Sequence, residues 1–202
     1  MLWVDGVWSP AYWTKSVCKL VLFLGVPVIC SLCLRDGSLR TLFLPSRRGL
    51  LRALALGAGV YLVIVGAYFL LRGVVDFSPI LDNLPTGVTK TTFPFVALYI
   101  SLINSLLEEF FFRGFAYLTA AKFWRGASLF SAIAFALYHT AMMLGWFPPA
   151  IFALAMLGLT IGGLLFNRLN RLDGSICTSW LVHMFANFAT NTVGFILFSR
   201  IS

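Results

Sequence analysis

Glu108 and Glu109 are the only glutamates in the chain, and His139 and His183 are the only histidines. All four stand among aliphatic and aromatic neighbours, the glutamates in the run "SLLEEFFFRGF" at residues 105–115. Two carboxylates, two imidazoles and the amide of Asn187, with no suitably placed nucleophile, are parts suited to activating water. A carboxylate shielded from solvent can work as a general base near neutrality, and an imidazole can orient the water. Amide and imidazole N–H groups can then hold the oxyanion that develops on an attacked carbonyl. The reaction class that uses these groups together is amide or ester hydrolysis.

Helical spacing divides the charges. Glu109 and Arg113 are four residues apart, hence neighbours on one helix face. They read equally well as a structural ion pair and as functional residues. Glu108 projects about 100° away, leaves that pair and shares a face with Asn104, Ser105 and Phe112, where it has no local cation. His183, Asn187 and Asn191 form one stripe at intervals of four, and Phe135 lies one turn before His139.

The elements that carry these residues are membrane-like. Of the 202 residues 60% are hydrophobic and 11% charged, and the mean hydropathy is +0.92, which a water-soluble domain could not keep off its surface. Apolar stretches near the ~20 residues needed to cross a bilayer fall at 16–34, 50–71, 93–112, 127–144, 147–166 and 175–198. They predict an all-α polytopic bundle of about six transmembrane helices, with a site buried between the third, fourth and sixth. Connections are expected at 35–49, 73–92, around Arg125 and Gly126, at Pro148 and Pro149, and at 167–174. Without a repeat, linker or low-complexity tract, one domain spanning 1–202 is expected, its motif-bearing core at about 93–198.

An ionisable side chain at bilayer depth costs roughly 2.5–3.5 kcal/mol even on lenient insertion scales, so surface decoration does not account for the glutamates and histidines. From a turn near residues 124–126, Glu108 lies about 16 residues and His139 about 13 residues up their helices, roughly 24 and 20 Å. Those depths match only if the third helix runs on to about Phe123. His183 comes out shallower, which asks the sixth helix to start lower or to tilt.

Arg35, Arg40, Arg47, Arg48, Arg52, Lys122, Arg125, Arg168 and Arg171 fall on one side of the membrane; Lys15, Lys19, Arg72, Lys90 and Arg200 fall on the other. The positive-inside rule puts the first group in the cytoplasm and both termini outside. The N-terminal stretch lacks the basic region and cleavage site of a signal peptide, so the first helix is expected to be retained. Trp3, Trp8, Tyr12 and Trp13 suit an interfacial belt. The net charge of +8 fits basic loops beside anionic lipid, and no aromatic-interleaved basic groove points to nucleic acid. Cys18, Cys30, Cys33 and Cys177 lie in apolar segments as small hydrophobes; Cys30-x-x-Cys33 has no second ligand pair for zinc or redox chemistry.

Three spacings in order carry a resemblance: Glu108-Glu109-x-x-x-Arg113, Phe135-x-x-x-His139 and His183-x-x-x-Asn187. With them the chain, over about residues 93–191, resembles the CPBP family of intramembrane glutamic proteases, also called the ABI or type II CAAX prenyl protease family. The resemblance implies Glu108 as catalytic base, His139 sharing the water, and His183 with Asn187 as oxyanion hole. It makes Glu109, Arg113 and Phe135 supporting residues and implies no metal or other cofactor.

The implied substrate is a membrane-anchored protein or peptide cut near its anchored or C-terminal part. Members of the family variously trim prenylated CAAX proteins, process peptide pheromones, act in bacteriocin immunity or cleave C-terminal sorting tails. The small size favours a prokaryotic plasma membrane. Two rivals use the same residues: a zinc metalloprotease liganded by His139, His183 and a glutamate, and a non-catalytic adaptor or proton-coupled carrier using them as a relay.

Overall fold

The computed structural model describes residues 12–33, 42–143 and 145–200, the side chains at 141 and 142 excepted. Trp3, Trp8, Arg35 and Arg40, and the segment ends at 34 and 144, lie outside the described residues. The described residues form helices α1 (Tyr12–Cys33), α2 (Arg47–Leu71), α3 (Ser78–Asp82), α4 (Phe93–Lys122), α5 (Ala127–Met143), α6 (Pro149–Asp173) and α7 (Cys177–Arg200), and contain no strand. Five of them, α1, α2, α4, α6 and α7, are long and apolar enough to cross a membrane. Helix α5, with 17 residues, stands at the short end of the ~17–25 that suffice. The protein is an all-α polytopic membrane bundle.

Local chemistry sets several boundaries. Ser46 starts α2, its Oγ accepting the Gly49 N–H at 2.9 Å. Prolines occupy the first turns of α3, α4 and α6, where a missing N–H removes no helical bond. Gly174, at φ +64°, closes α6 in the left-handed conformation that glycine adopts without strain. Inside α1, Pro27 can neither donate to nor fit beneath the carbonyl one turn back, and residues 21–25 relax into a wider i→i+5 turn.

Three boundaries differ from the sequence expectation. Helix α4 does not end at 112 but runs on to Lys122, as matched depths for Glu108 and His139 demand. Helix α6 continues through 167–173, where a connection was expected, because Asn167 and Asn170 are fully buried and Asn167 donates to the Ser128 carbonyl at 2.8 Å. The 73–92 connection carries the short α3.

The depth of His183 has a different solution from a lower start. Helix α7 begins at Cys177, but the residues leading into it are themselves inside the protein. Ser175 and Ile176 are fully buried, and both donate to the Leu42 carbonyl, each at 2.8 Å. The segment around Leu42 covers this helix start, so that residues a turn or two into α7 already lie in the core.

Helices α2 and α7 pack along each other, with Gly57 allowing close approach. A Cβ at Gly57 would come within 2.5 Å of the Phe185 ring. Buried Ala53, Phe166, Leu169 and Val182 join α2, α6 and α7. A second cluster, Phe23, Leu107, Phe112, Phe135 and Tyr138, joins α1, α4 and α5.

Candidate active site

Helix α4 departs from regular geometry on both sides of the glutamates. Residues 100–104 and 109–119 form wide i→i+5 turns around a short α-helical stretch, Ser105–Glu108. Such turns loosen the carbonyl ladder, and neighbouring side chains here satisfy what it releases. Asn187 donates to the Ile100 carbonyl at 3.1 Å, Trp180 to that of Leu102 at 3.2 Å and Ser131 to that of Phe112 at 2.6 Å. The distortion is therefore built by α5 and α7, the helices that bring the histidines.

Glu108 is buried, with 1% of its surface exposed. Its two oxygens have different surroundings. Oε1 accepts from Asn104 Nδ2 at 2.7 Å and from the Tyr138 hydroxyl at 3.0 Å, with Lys19 Nζ at 3.9 Å. Oε2 faces His183 Nε2 at 3.7 Å and His139 Nε2 at 3.8 Å, beyond direct hydrogen bonding. The structure thus brings Glu108, His139 and His183 together from α4, α5 and α7.

Each imidazole is oriented through its other nitrogen. His139 Nδ1 lies 2.8 Å from the Phe135 carbonyl, which can only accept, so Nδ1 carries the proton and Nε2 turns to Glu108. His183 Nδ1 lies 2.9 Å from Glu109 Oε1. The other Glu109 oxygen accepts from Ser179 Oγ at 2.5 Å.

Arg113 and Glu109 are both fully buried, with Nη1 and Oε1 3.2 Å apart. The contact is an ion pair without hydrogen-bond alignment: none of the guanidinium nitrogens has a hydrogen-bond partner among the described residues. The guanidinium lies 3.9 Å from the centre of the Phe135 ring, with Phe166 at 5.0 Å, a desolvated cation–π arrangement. Phe135 also packs edge-on to His139 and His183, at 4.4 and 5.7 Å between ring centres. It therefore contacts Arg113 and both imidazoles.

Asn187 lies one turn beyond His183, and the amide N–H accounted for goes to Ile100 rather than to Glu108 or the histidines. Asn191 likewise donates to the Ala97 carbonyl at 3.2 Å and to Ser101 Oγ at 3.1 Å. Three residues of the site are not singled out by the sequence, Lys19, Tyr138 and Ser179, while Asn104 is marked there only as sharing the Glu108 helix face. Lys19 is the largest revision, since it was counted among loop cations and instead lies 9% exposed inside α1 against Glu108. It already fell within the apolar segment 16–34, where the desolvation reasoning applied to the glutamates would have marked it. The four cysteines are free thiols, and no three His, Cys, Asp or Glu side chains among the described residues are grouped to hold a metal.

Comparison with protein families gives a match over residues 90–189, about half the chain, to the family described as type II CAAX prenyl endopeptidase Rce1-like. No curated protein and no solved structure matches. The matched segment contains Glu108, Glu109, Arg113, Phe135, His139, His183 and Asn187, while α1 and α2 lie outside it. Through this segment the chain belongs to the Rce1-like type II CAAX prenyl endopeptidase family, and it is a multi-pass membrane protease acting on membrane-associated substrates.

Proposed function

We propose that the protein is an intramembrane endopeptidase of glutamic type, hydrolysing a peptide bond near the membrane-anchored or C-terminal part of its substrate. The observation that carries the reading is the convergence of Glu108 Oε2 with two imidazole Nε2 atoms at 3.7 and 3.8 Å. With both Nδ1 atoms committed as donors, these three atoms are all acceptors when the imidazoles are neutral. A water about 2.8 Å from each would fit among them and give its protons to two.

In that arrangement Glu108 takes a proton from the water as its oxygen attacks the scissile carbonyl, with His139 orienting the same water. Collapse of the tetrahedral intermediate returns the proton from Glu108 to the leaving amine. Asn187 has one N–H fixed on Ile100, which leaves the second as a preorganised donor to the oxyanion. His183, its ring fixed by Glu109 through Nδ1, stands beside Asn187 on the side where the oxyanion forms. Glu109, Arg113 and Phe135 hold the rings in place. No cofactor enters these steps. The setting proposed is a prokaryotic plasma membrane.

Mass spectrometry of new peptide termini in membranes containing the protein or its Glu108→Gln variant tests the reading. Loss of the general base is expected to lower cleavage by about 10²–10⁴-fold at unchanged protein level. Termini that form at the wild-type rate in Glu108→Gln would falsify the assignment.

A further inference from the structure

The two oxygens of Glu108 differ in a way the proposed reaction leaves unexplained. Every close donor gathers on Oε1, while Oε2 is left to the imidazoles. Lys19 Nζ donates to Asn104 Oδ1 at 3.2 Å, and Asn104 Nδ2 donates to Glu108 Oε1 at 2.7 Å. An ammonium has only protons to give and a carboxylate only lone pairs to receive, so this chain fixes which end of the Asn104 amide faces which partner. Tyr138 brings a second donor to Oε1 from α5, and its ring lies under the Lys19 ammonium at 5.2 Å. The ring is locked in turn by Phe23 and Phe112, at 5.3 and 5.6 Å between centres.

We infer that Lys19, Asn104 and Tyr138 are positioning residues that anchor Glu108 through Oε1 and so present Oε2 as the working oxygen. This rests on the glutamic reading above. A free carboxylate can rotate about its last bond and exchange its two oxygens; two hydrogen-bond donors on one of them, with the Lys19 ammonium beside it and held through Asn104, stop that rotation and set the direction of the base. The anchor begins on α1, outside residues 90–189, so the motif-bearing helices do not complete the site alone. It also gives Glu108 a cation of its own, as Arg113 serves Glu109.

The two glutamates make the test direct. Protein labelled with [δ-13C]glutamate in lipid nanodiscs gives two carboxyl resonances, and Glu108→Gln identifies one of them. Tyr138→Phe, which removes only a hydroxyl, and Lys19→Met are each expected to shift the Glu108 resonance and leave that of Glu109 in place. On a membrane-anchored peptide that the wild-type protein cleaves, both are expected to lower kcat by about ten- to a hundredfold with KM held, the loss expected for one hydrogen bond to a charged group acting in the chemical step. Lys19→Arg, which restores the cation, retains most of the rate. A Glu108 resonance unmoved in both variants, or a fall confined to KM, overturns the inference. Wild-type cleavage by Glu108→Gln instead overturns the glutamic reading, and the resonance shifts then still decide whether Oε1 is anchored.

Discussion

Arg113 is a charge with almost no hydrogen bonding, held by Glu109 on one side and by the faces of Phe135 and Phe166 on the other. Removing it strands a buried carboxylate and opens a void against the faces of Phe135 and Phe166. Breaking a buried pair from one side is destabilising by about 3–5 kcal/mol, so Arg113→Ala is expected to lower both Tm in detergent and yield in membranes. Cleavage per folded molecule should fall too, since Glu109 orients His183. Arg113→Lys keeps the charge but loses the planar stack, and should fall between. Wild-type Tm and cleavage in Arg113→Ala would remove the supporting role. This pair was legible in the sequence because both members sit on one helix at a spacing of four. The partners of Glu108 were only half legible: Asn104 shares its helix face, but Lys19 and Tyr138 come from elements whose pairing no local spacing encodes.

At the scale of helices, the apolar segments announced the bundle, but hydropathy sees only where lipid-facing surface ends. Helices α4 and α6 both outrun their apolar stretches because Arg113, Asn167 and Asn170 are polar and buried inside protein rather than exposed in loops. The wide turns of α4 were invisible for a related reason: the donors that stabilise them come from α5 and α7, not from α4 itself. Close packing of α2 on α7 depends on Gly57. Gly57→Leu forces side-chain atoms into the space of the Phe185 ring and should destabilise by about 1–3 kcal/mol, the usual range for overpacking. Thermal unfolding of Gly57→Leu beside Gly57→Leu/Phe185→Ala checks the cause. Partial recovery of Tm is expected in the double variant, and a Gly57→Leu protein as stable as wild type would show that α2 shifts freely on α7.

Across the whole molecule, charge separates by end. Ser46 and Arg52 at the start of α2 meet Asp173 at the end of α6, at 3.4 and 3.7 Å, and Asn167 joins α6 to Ser128 at the start of α5. These contacts gather Arg47, Arg48, Arg52, Lys122, Arg125, Arg168 and Arg171 at one end of the bundle. At the opposite end Arg200 closes α7 against Tyr68 near the end of α2, with Arg72 just beyond. Moving Lys19 from a loop into the core takes a cation from this second group and sharpens the asymmetry. The positive-inside rule predicts that the first end faces the cytoplasm, which labelling tests. In a background without the four native cysteines, Arg125→Cys should resist a membrane-impermeant maleimide added to intact cells and react once the membrane is opened, whereas Lys90→Cys should react from outside at once. The reverse pattern would turn the bundle over. Glu108 would keep every partner described here, but substrates would then reach it with their cytoplasmic and external ends exchanged.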